Sequence, residues 1–247
     1  MQYLLCRKIT LIVLFISLAF TSKAQLVELN LEEHDDKPFH FGINVGVNRA
    51  HYNFSRHPRF LYLPGGGIND SVLVVESINS TGINLAWLVN MRLGQHFDLR
   101  TYPLNLVFTE KAFEYRLKYP NKPFGEDSIM LKKVQGITLS LPLQIKFSSD
   151  RINNLKVYMF GGGKIDYDFA ANAGNRNAED LIKLNKLDYG VEAGIGFHIY
   201  FPVFVLSPEL KAGWGFSNVH ARDADLKFSN VIEKINARSI TLSLTVE

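Results

Sequence analysis

Along much of the chain apolar and polar residues alternate one for one. Over 187–199 the odd positions are Leu187, Tyr189, Val191, Ala193, Ile195, Phe197 and Ile199, and the even ones are Asp188, Gly190, Glu192, Gly194, Gly196 and His198. A period of two belongs to a β-strand, whose successive side chains point to opposite faces. The same split recurs over 39–47, 83–91 and 240–246. The pattern predicts eight strands, at 39–50, 81–93, 97–109, 133–147, 155–169, 187–200, 203–217 and 238–246. The third is the least regular because Pro103 interrupts it. Pro142 and Pro208 also fall inside strands, which predicts bulges or distorted pairing there.

The connections alternate as well. Those at 51–80, 110–132, 170–186 and 218–237 are long, while those at 94–96, 148–154 and Phe201-Pro202 are short. Membrane-spanning barrels keep short turns on the periplasmic side and long loops outside. The expected fold is therefore all-β: an eight-stranded antiparallel up-and-down transmembrane β-barrel with long extracellular loops and short periplasmic turns. A soluble barrel or sandwich shares the periodicity, which does not say which face points out. Two features favour lipid. The polar face mixes glycine, asparagine and charge, which suits a narrow polar lumen. Aromatic residues also gather near strand ends, at Phe39, Phe41, Phe97, Phe147, Tyr200, Phe201, Phe204, Trp214 and Phe216, as interfacial girdles do.

The first residues carry a different pattern. Arg7 and Lys8 precede an apolar run over 9–20, and Ser22 and Ala24 then fit a small-x-small cleavage site. Twelve helical residues reach only ~18 Å, short of a ~30 Å hydrocarbon core, so this run reads as a signal peptide and not an anchor. The expected organisation is a cleaved signal over 1–24, with cleavage between Ala24 and Gln25, an acidic periplasmic tail over 25–38 and a barrel over 39–247. Residues 1–24 hold three of the 27 Lys and Arg and no acid, so the remainder balances 24 basic against 24 acidic residues. That neutrality gives no ground for nucleic-acid binding. Cys6 is the only cysteine and lies before the apolar run. The mature chain is thus expected to form no disulfide, thiolate metal site or cysteine nucleophile.

Several segments resemble a known family. Leu141-Pro142-Leu143-Gln144-Ile145-Lys146-Phe147 resembles the central strand of Bacteroidetes outer-membrane β-barrel domains, and Phe160-Gly161-Gly162-Gly163-Lys164-Ile165-Asp166-Tyr167 resembles the strand after it. The run over 187–218, LDYGVEAGIGFHIYFPVFVLSPELKAGWGFSN, resembles the PorT proteins of the type IX secretion system, particularly at Tyr200-Phe201-Pro202 and Leu206-Ser207-Pro208-Glu209-Leu210-Lys211. This implies an outer-membrane protein that helps to export proteins or attach them to the cell surface. Its partners would be outer-membrane lipid and other secretion-system components, and it brings no catalytic residues. The chain departs from many outer-membrane barrels in ending Thr245-Val246-Glu247 without a terminal aromatic.

If the apolar faces meet lipid, the opposite faces place Asn44, Arg92, Lys146, Lys164, Glu192, Glu209 and Lys211 in the lumen, with Asn48, Asn84, Asn90, Gln144, Lys156, Asp166 and His198. An eight-stranded barrel is just filled by its side chains, and buried charges must pair. The expectation is a plug of mutual ion pairs, with Lys146 and Lys164 set against Glu192 and Glu209. A hydrophilic path is the alternative use of the same residues. His34, His40, His51, His57, His96 and His220 are scattered without metal-ligand spacing and read as solvated or loop histidines; no metal or cofactor is expected. Gly161-Gly162-Gly163-Lys164 lacks the spacing and the Ser/Thr of a phosphate loop and reads as a bulge or a close backbone approach, and Pro64-Gly65-Gly66-Gly67 as a flexible turn. Asp70-Ser71-Val72 and Asp127-Ser128-Ile129 resemble the short Asp-Ser/Thr-apolar sites of Bacteroidetes O-glycosylation, a three-residue pattern that also arises often by chance. Two further readings stand beside the export role. One is a general structural or narrow-pore barrel. The other is a rim-active enzyme drawing on His51, Ser55, His57, Asp70, His220 and Asp223. The expectation is that the chain is not an enzyme.

Overall fold

Each alternating stretch forms a strand. In this computed structural model residues 28–247 are described except 59–61, 64–65, 68–71, 121–122, 124–126, 172–182 and 223–226. The expected signal and its Ala24–Gln25 junction lie outside the described residues, as do Pro64, Gly65, Asp70, Ser71 and Asp223. In chain order the strands are β1 (Phe39–Arg56), β2 (Tyr62–Leu63), β3 (Gly66–Gly67), β4 (Val72–Ile78), β5 (Ser80–Arg92), β6 (Phe97–Leu117), β7 (Ile129–Ser148), β8 (Leu155–Asp168), β9 (Leu187–Tyr200), β10 (Val205–Gly215) and β11 (Ile232–Val246). Nine of them make one antiparallel sheet in the order β4-β6-β5-β1-β11-β10-β9-β8-β7. β7 pairs in turn with β6, so the sheet closes on itself; β2 and β3 form a separate ribbon.

Which face points out is settled by exposure. On β1 the residues Phe39, Phe41, Ile43, Val45 and Val47 are exposed, and His40, Gly42, Asn44, Gly46 and Asn48 are buried. Ile43 is 60% exposed while Asn44 beside it is 3% exposed. A water-soluble protein would reverse this alternation. The same inversion runs through Ile83, Leu85 and Trp87 on β5, Leu141, Leu143 and Ile145 on β7, and Leu242 and Leu244 on β11, all exposed. An apolar belt therefore surrounds a polar interior.

β1, β6, β7 and β11 are longer than the sequence pattern suggests, while β10 is shorter, at Val205–Gly215 against 203–217. β1, β6 and β7 have 18, 21 and 20 residues, where about 10 suffice to cross a bilayer obliquely. The extra length begins where the inside-outside sense flips. Beyond Val47, β1 turns Arg49 and Asn53 outward and buries Ala50 and Tyr52. Beyond Phe108, β6 turns Glu110 and Arg116 outward and buries Phe113, Tyr115 and Leu117. β11 matches, with Arg238 and Lys234 outside and Ile235 and Ile232 inside. Above the belt the closed sheet thus becomes an ordinary water-soluble fold. Its small core contains Tyr52, Phe113, Tyr115, Leu184, Phe228, Val231, Ile232 and Ile235. Reading 51–80, 110–132 and 218–237 wholly as loops was therefore a misreading: the alternation continues there with its sense reversed.

Of the three expected distortions, the one at Pro103 is present; Pro142 keeps its register against β8 and faces the slip of β6 on its other edge, and Pro208 shows none. The register of β6 against both β5 and β7 shifts by one residue around Pro103. There Pro103 and Leu104 are both exposed, whereas Tyr102 and Asn105 both point inward and are buried. Pro208 sits in β10 without a register shift against either neighbour. The glycine triplet of β8 also keeps its register, and Gly162 supports a close backbone approach instead of a bulge, since a Cβ there would strike the Leu143 carbonyl.

Candidate functional site

The interior is built in layers. At mid-barrel Arg100 and Glu209 form an ion pair at 2.7 Å with side chains 0% and 1% exposed. The Tyr158 hydroxyl donates to Glu209 at 2.6 Å and the Tyr102 hydroxyl at 3.4 Å. The guanidinium lies over the Tyr158 and Phe160 rings, 5.1 and 5.4 Å from their centroids. Glycines make room for these rings. Tyr158 and Phe160 on β8 lie opposite Gly196 and Gly194 on β9, and a Cβ at either glycine would strike the ring. Leu88 and Tyr102 are buried in the same layer. Matched charge and aromatic bulk fill this layer.

Below, towards the short turns, Lys146 pairs with Asp98 at 2.7 Å and lies 3.2 Å from His198 Nε2, while His198 Nδ1 meets Ser207 at 2.7 Å. Above, Gln144 donates to Glu192, Lys211 lies 3.6 Å from Glu192, and Lys164 pairs with Asp166. Asn44 donates to Thr245 at 2.7 Å and accepts from Asn84 at 3.0 Å. A polar cavity of about 80 Å³ remains in this upper layer, beside Asn48, Asn105, Lys111 and Lys164.

The short-turn mouth is capped by residues 28–38. A 3-10 turn over His34–Asp36 puts Asp35 against Tyr200, whose hydroxyl donates at 2.6 Å, and near Lys156 at 3.4 Å. Arg92 donates to the Asp35 carbonyl at 2.6 Å and to Asp36 at 2.8 Å. Arg151 stacks over Tyr200 at 3.7 Å and donates to the Asn30 carbonyl. His40 contacts the His34 carbonyl at 2.7 Å, and the two imidazoles stack at 4.6 Å. The acidic tail is therefore docked, with Glu28, Glu32 and Glu33 left exposed.

This cap carries a pH dependence. Burial first, then the neighbouring His40, push the His34 pKa from 6.5 down to about 4. An undocked His34 takes up its proton earlier, so docking is strongest above about 6.5 and weakens as pH falls from there through about 4. Burial alone would raise Asp35, but the Tyr200 hydrogen bond and Lys156 outweigh it and hold the carboxyl below 3.8. Asp35 therefore supports docking at neutral pH and releases it only in stronger acid. Hydrogen exchange over 30–36, expressed as protection factors, is expected to show weaker protection at pH 5 than at pH 7.5. His34→Gln should remove that difference; equal protection in the unaltered protein would contradict this account.

An outward apolar belt around a filled polar lumen is the design of a membrane barrel, and the sequence agrees: residues 23–221 match the outer membrane protein beta-barrel domain family. The chain belongs to that family. No curated protein matches it significantly. Among solved structures it is similar to the outer membrane protein OprG from Pseudomonas aeruginosa, with 9% identity, a TM-score of 0.43, and coverage of 83% of this chain and 92% of that one. It is also similar to Neisserial surface protein A, with 10% identity, a TM-score of 0.39, and coverage of 85% and 99%. A third is Ail of Yersinia pestis, with 11% identity, a TM-score of 0.38, and coverage of 85% and 99%.

In this outer-membrane barrel, Asn44, Lys146, Lys164, Glu192, Glu209 and Lys211 point into the lumen. Arg92 does not; it lies at the mouth and holds the tail. The expected pairing of Lys146 and Lys164 with Glu192 and Glu209 is corrected. Register gives Lys146 to Asp98 and Lys164 to Asp166, and leaves Glu209 to Arg100. Arg100, Asp98, Tyr102 and Tyr158 escaped the sequence reading. The bulge at Pro103 hid the parity of β6, and tyrosines on a polar face look like girdle residues. Tyr200, read as a girdle residue, is buried inside, and His40 and His220 are buried and hydrogen-bonded, not solvated.

Proposed function

We propose that the chain forms an eight-stranded barrel, with β4 and β5 as one strand broken at Asn79, and that it serves the type IX secretion system as a PorT-like accessory. In this reading it works by contact and not by conduction or catalysis. The observation that carries the non-conducting part is the Arg100–Glu209 layer, buried and packed with Tyr102, Tyr158 and Phe160. The docked tail below it and the apolar core above it add to that support. A solute would have to break all three. The export role is supported by the resemblance over 187–218; the general structural barrel fits the same geometry. Short turns and the docked tail would then face the periplasm, where Glu28, Glu32 and Glu33 offer an acidic contact surface to the secretion machinery.

Two measurements test the reading. Purified protein in planar bilayers should give no conductance steps, and regular steps in the unaltered protein would favour the narrow-pore alternative. Deleting the gene should abolish secretion of many unrelated cargo proteins together. Normal secretion in the deletion strain would leave the general barrel as the better account.

A further inference from the structure

The upper edge of the apolar belt carries two guanidinium groups and an imidazole with no acidic partner among the described residues. His51 on β1 and Arg238 on β11 are direct register partners, and Trp214 on β10 lies opposite Arg238 on its other side. Arg49, one outward position below His51, is level with the exposed Ile240. The two guanidinium groups and the imidazole point outward at the boundary where the wall changes from apolar to polar. Directly opposed side chains stand about 5 Å apart at Cβ and diagonal ones about 7 Å, so both guanidinium groups and the imidazole can reach one small anion.

None of Arg49, His51 and Arg238 makes an ion pair or hydrogen bond among the described residues. Two acids on β6 are paired, Glu110 with Lys133 at 2.8 Å and Glu114 with Arg116 at 3.2 Å. Glu76 and Glu233 are exposed on β4 and β11 without such a pair. Burial first, and then Arg238, Lys111 and Arg49, depress the His51 pKa, with no carboxylate opposing them. Arg49 and Arg238 are diagonal neighbours of like charge on adjacent strands, within reach of each other's long side chains. At a membrane surface the natural counterweight is an anion in the headgroup layer, which a planar guanidinium binds in bidentate fashion.

We propose that Arg49, His51 and Arg238, flanked by Trp214, form a site for a phosphate group on a lipid headgroup of the outer leaflet. Val47, Ile240 and Leu242 below the cluster meet the acyl chains of the same lipid. The site rests on the belt facing lipid, but not on any role in secretion.

The test uses the full folded protein in a neutral detergent, titrated with bis-phosphorylated lipid A and read by native mass spectrometry. The expected result is retention of one lipid, reduced about tenfold by Arg49→Gln combined with Arg238→Gln. Retention should be unchanged by Lys133→Gln, which removes a cation already paired. Lipid A stripped of its phosphates should be retained weakly and equally by all variants. Equal retention of the phosphorylated lipid by the double variant would overturn the site. Displacement of the lipid by an equal concentration of inorganic phosphate would show a soluble-anion site and overturn the lipid assignment. Protein that migrates identically boiled and unboiled would instead sink the barrel reading, and the site with it.

Discussion

Replacing Glu209 by leucine should destabilise the folded barrel by about 3–5 kcal/mol, the usual cost of stranding one member of a buried ion pair. Arg100 would keep its charge in a layer where its side chain is 0% exposed, and the Tyr158 and Tyr102 hydroxyls would lose their acceptor. Arg100→Met should cost a similar amount, because it leaves the carboxylate unmatched. The double variant Arg100→Met with Glu209→Leu should recover most of the loss, since an apolar pair of similar volume removes both desolvation penalties. Urea titration of the four proteins in one lipid or detergent reads the cycle directly. A loss below about 1 kcal/mol for either single variant would mean that the layer is solvated and not sealed.

The second large effect is on the outer wall. Leu244→Arg, at a position 50% exposed in the belt and in register with Val45, should cost about 2–4 kcal/mol, as arginine does near the bilayer midplane. Asn53→Arg, above the boundary on the same outward face of β1, should cost at most about 1 kcal/mol, as near an interface. On a water-exposed wall both changes would be close to neutral. It is the difference between the two positions that reports a membrane.

How much of this was legible depended on where each residue lies. Within the belt one face is apolar throughout, so stretches such as 39–47 and 240–246 announce strand, parity and outward face together. Above it, Arg49 and Asn53 outside and Tyr52 inside still alternate, but with polarity reversed, and a search for a constant apolar face ends at Val47. The lumen residues on regular strands, Asn44, Lys146, Glu192 and Glu209, could be read from parity alone. Their partners could not, because pairing depends on register between strands far apart in sequence: Arg100 and Glu209 are 109 residues apart. Arg100 itself was masked by the one-residue slip at Pro103. The docking of the tail left no periodic signal, since it rests on single contacts such as Asp35 with Tyr200 and Arg151 with Asn30.

The claim on which the rest depends is that the apolar face of each belt strand meets lipid and that this ends at one level of the wall. Spin labels placed one at a time over 41–55 of β1, in a Cys6→Ser background in lipid vesicles, measure it by their collision rates with oxygen and with a water-soluble nickel chelate. Labels at Phe41, Ile43, Val45 and Val47 should be mobile and accessible to oxygen but not to nickel, with Asn44 and Asn48, which face the interior, immobile and accessible to neither. At His51, Asn53 and Ser55 the preference should pass to nickel. Odd-numbered labels immobile and shielded from both reagents over 41–47 would place those side chains in a protein core, and the barrel would be inside out.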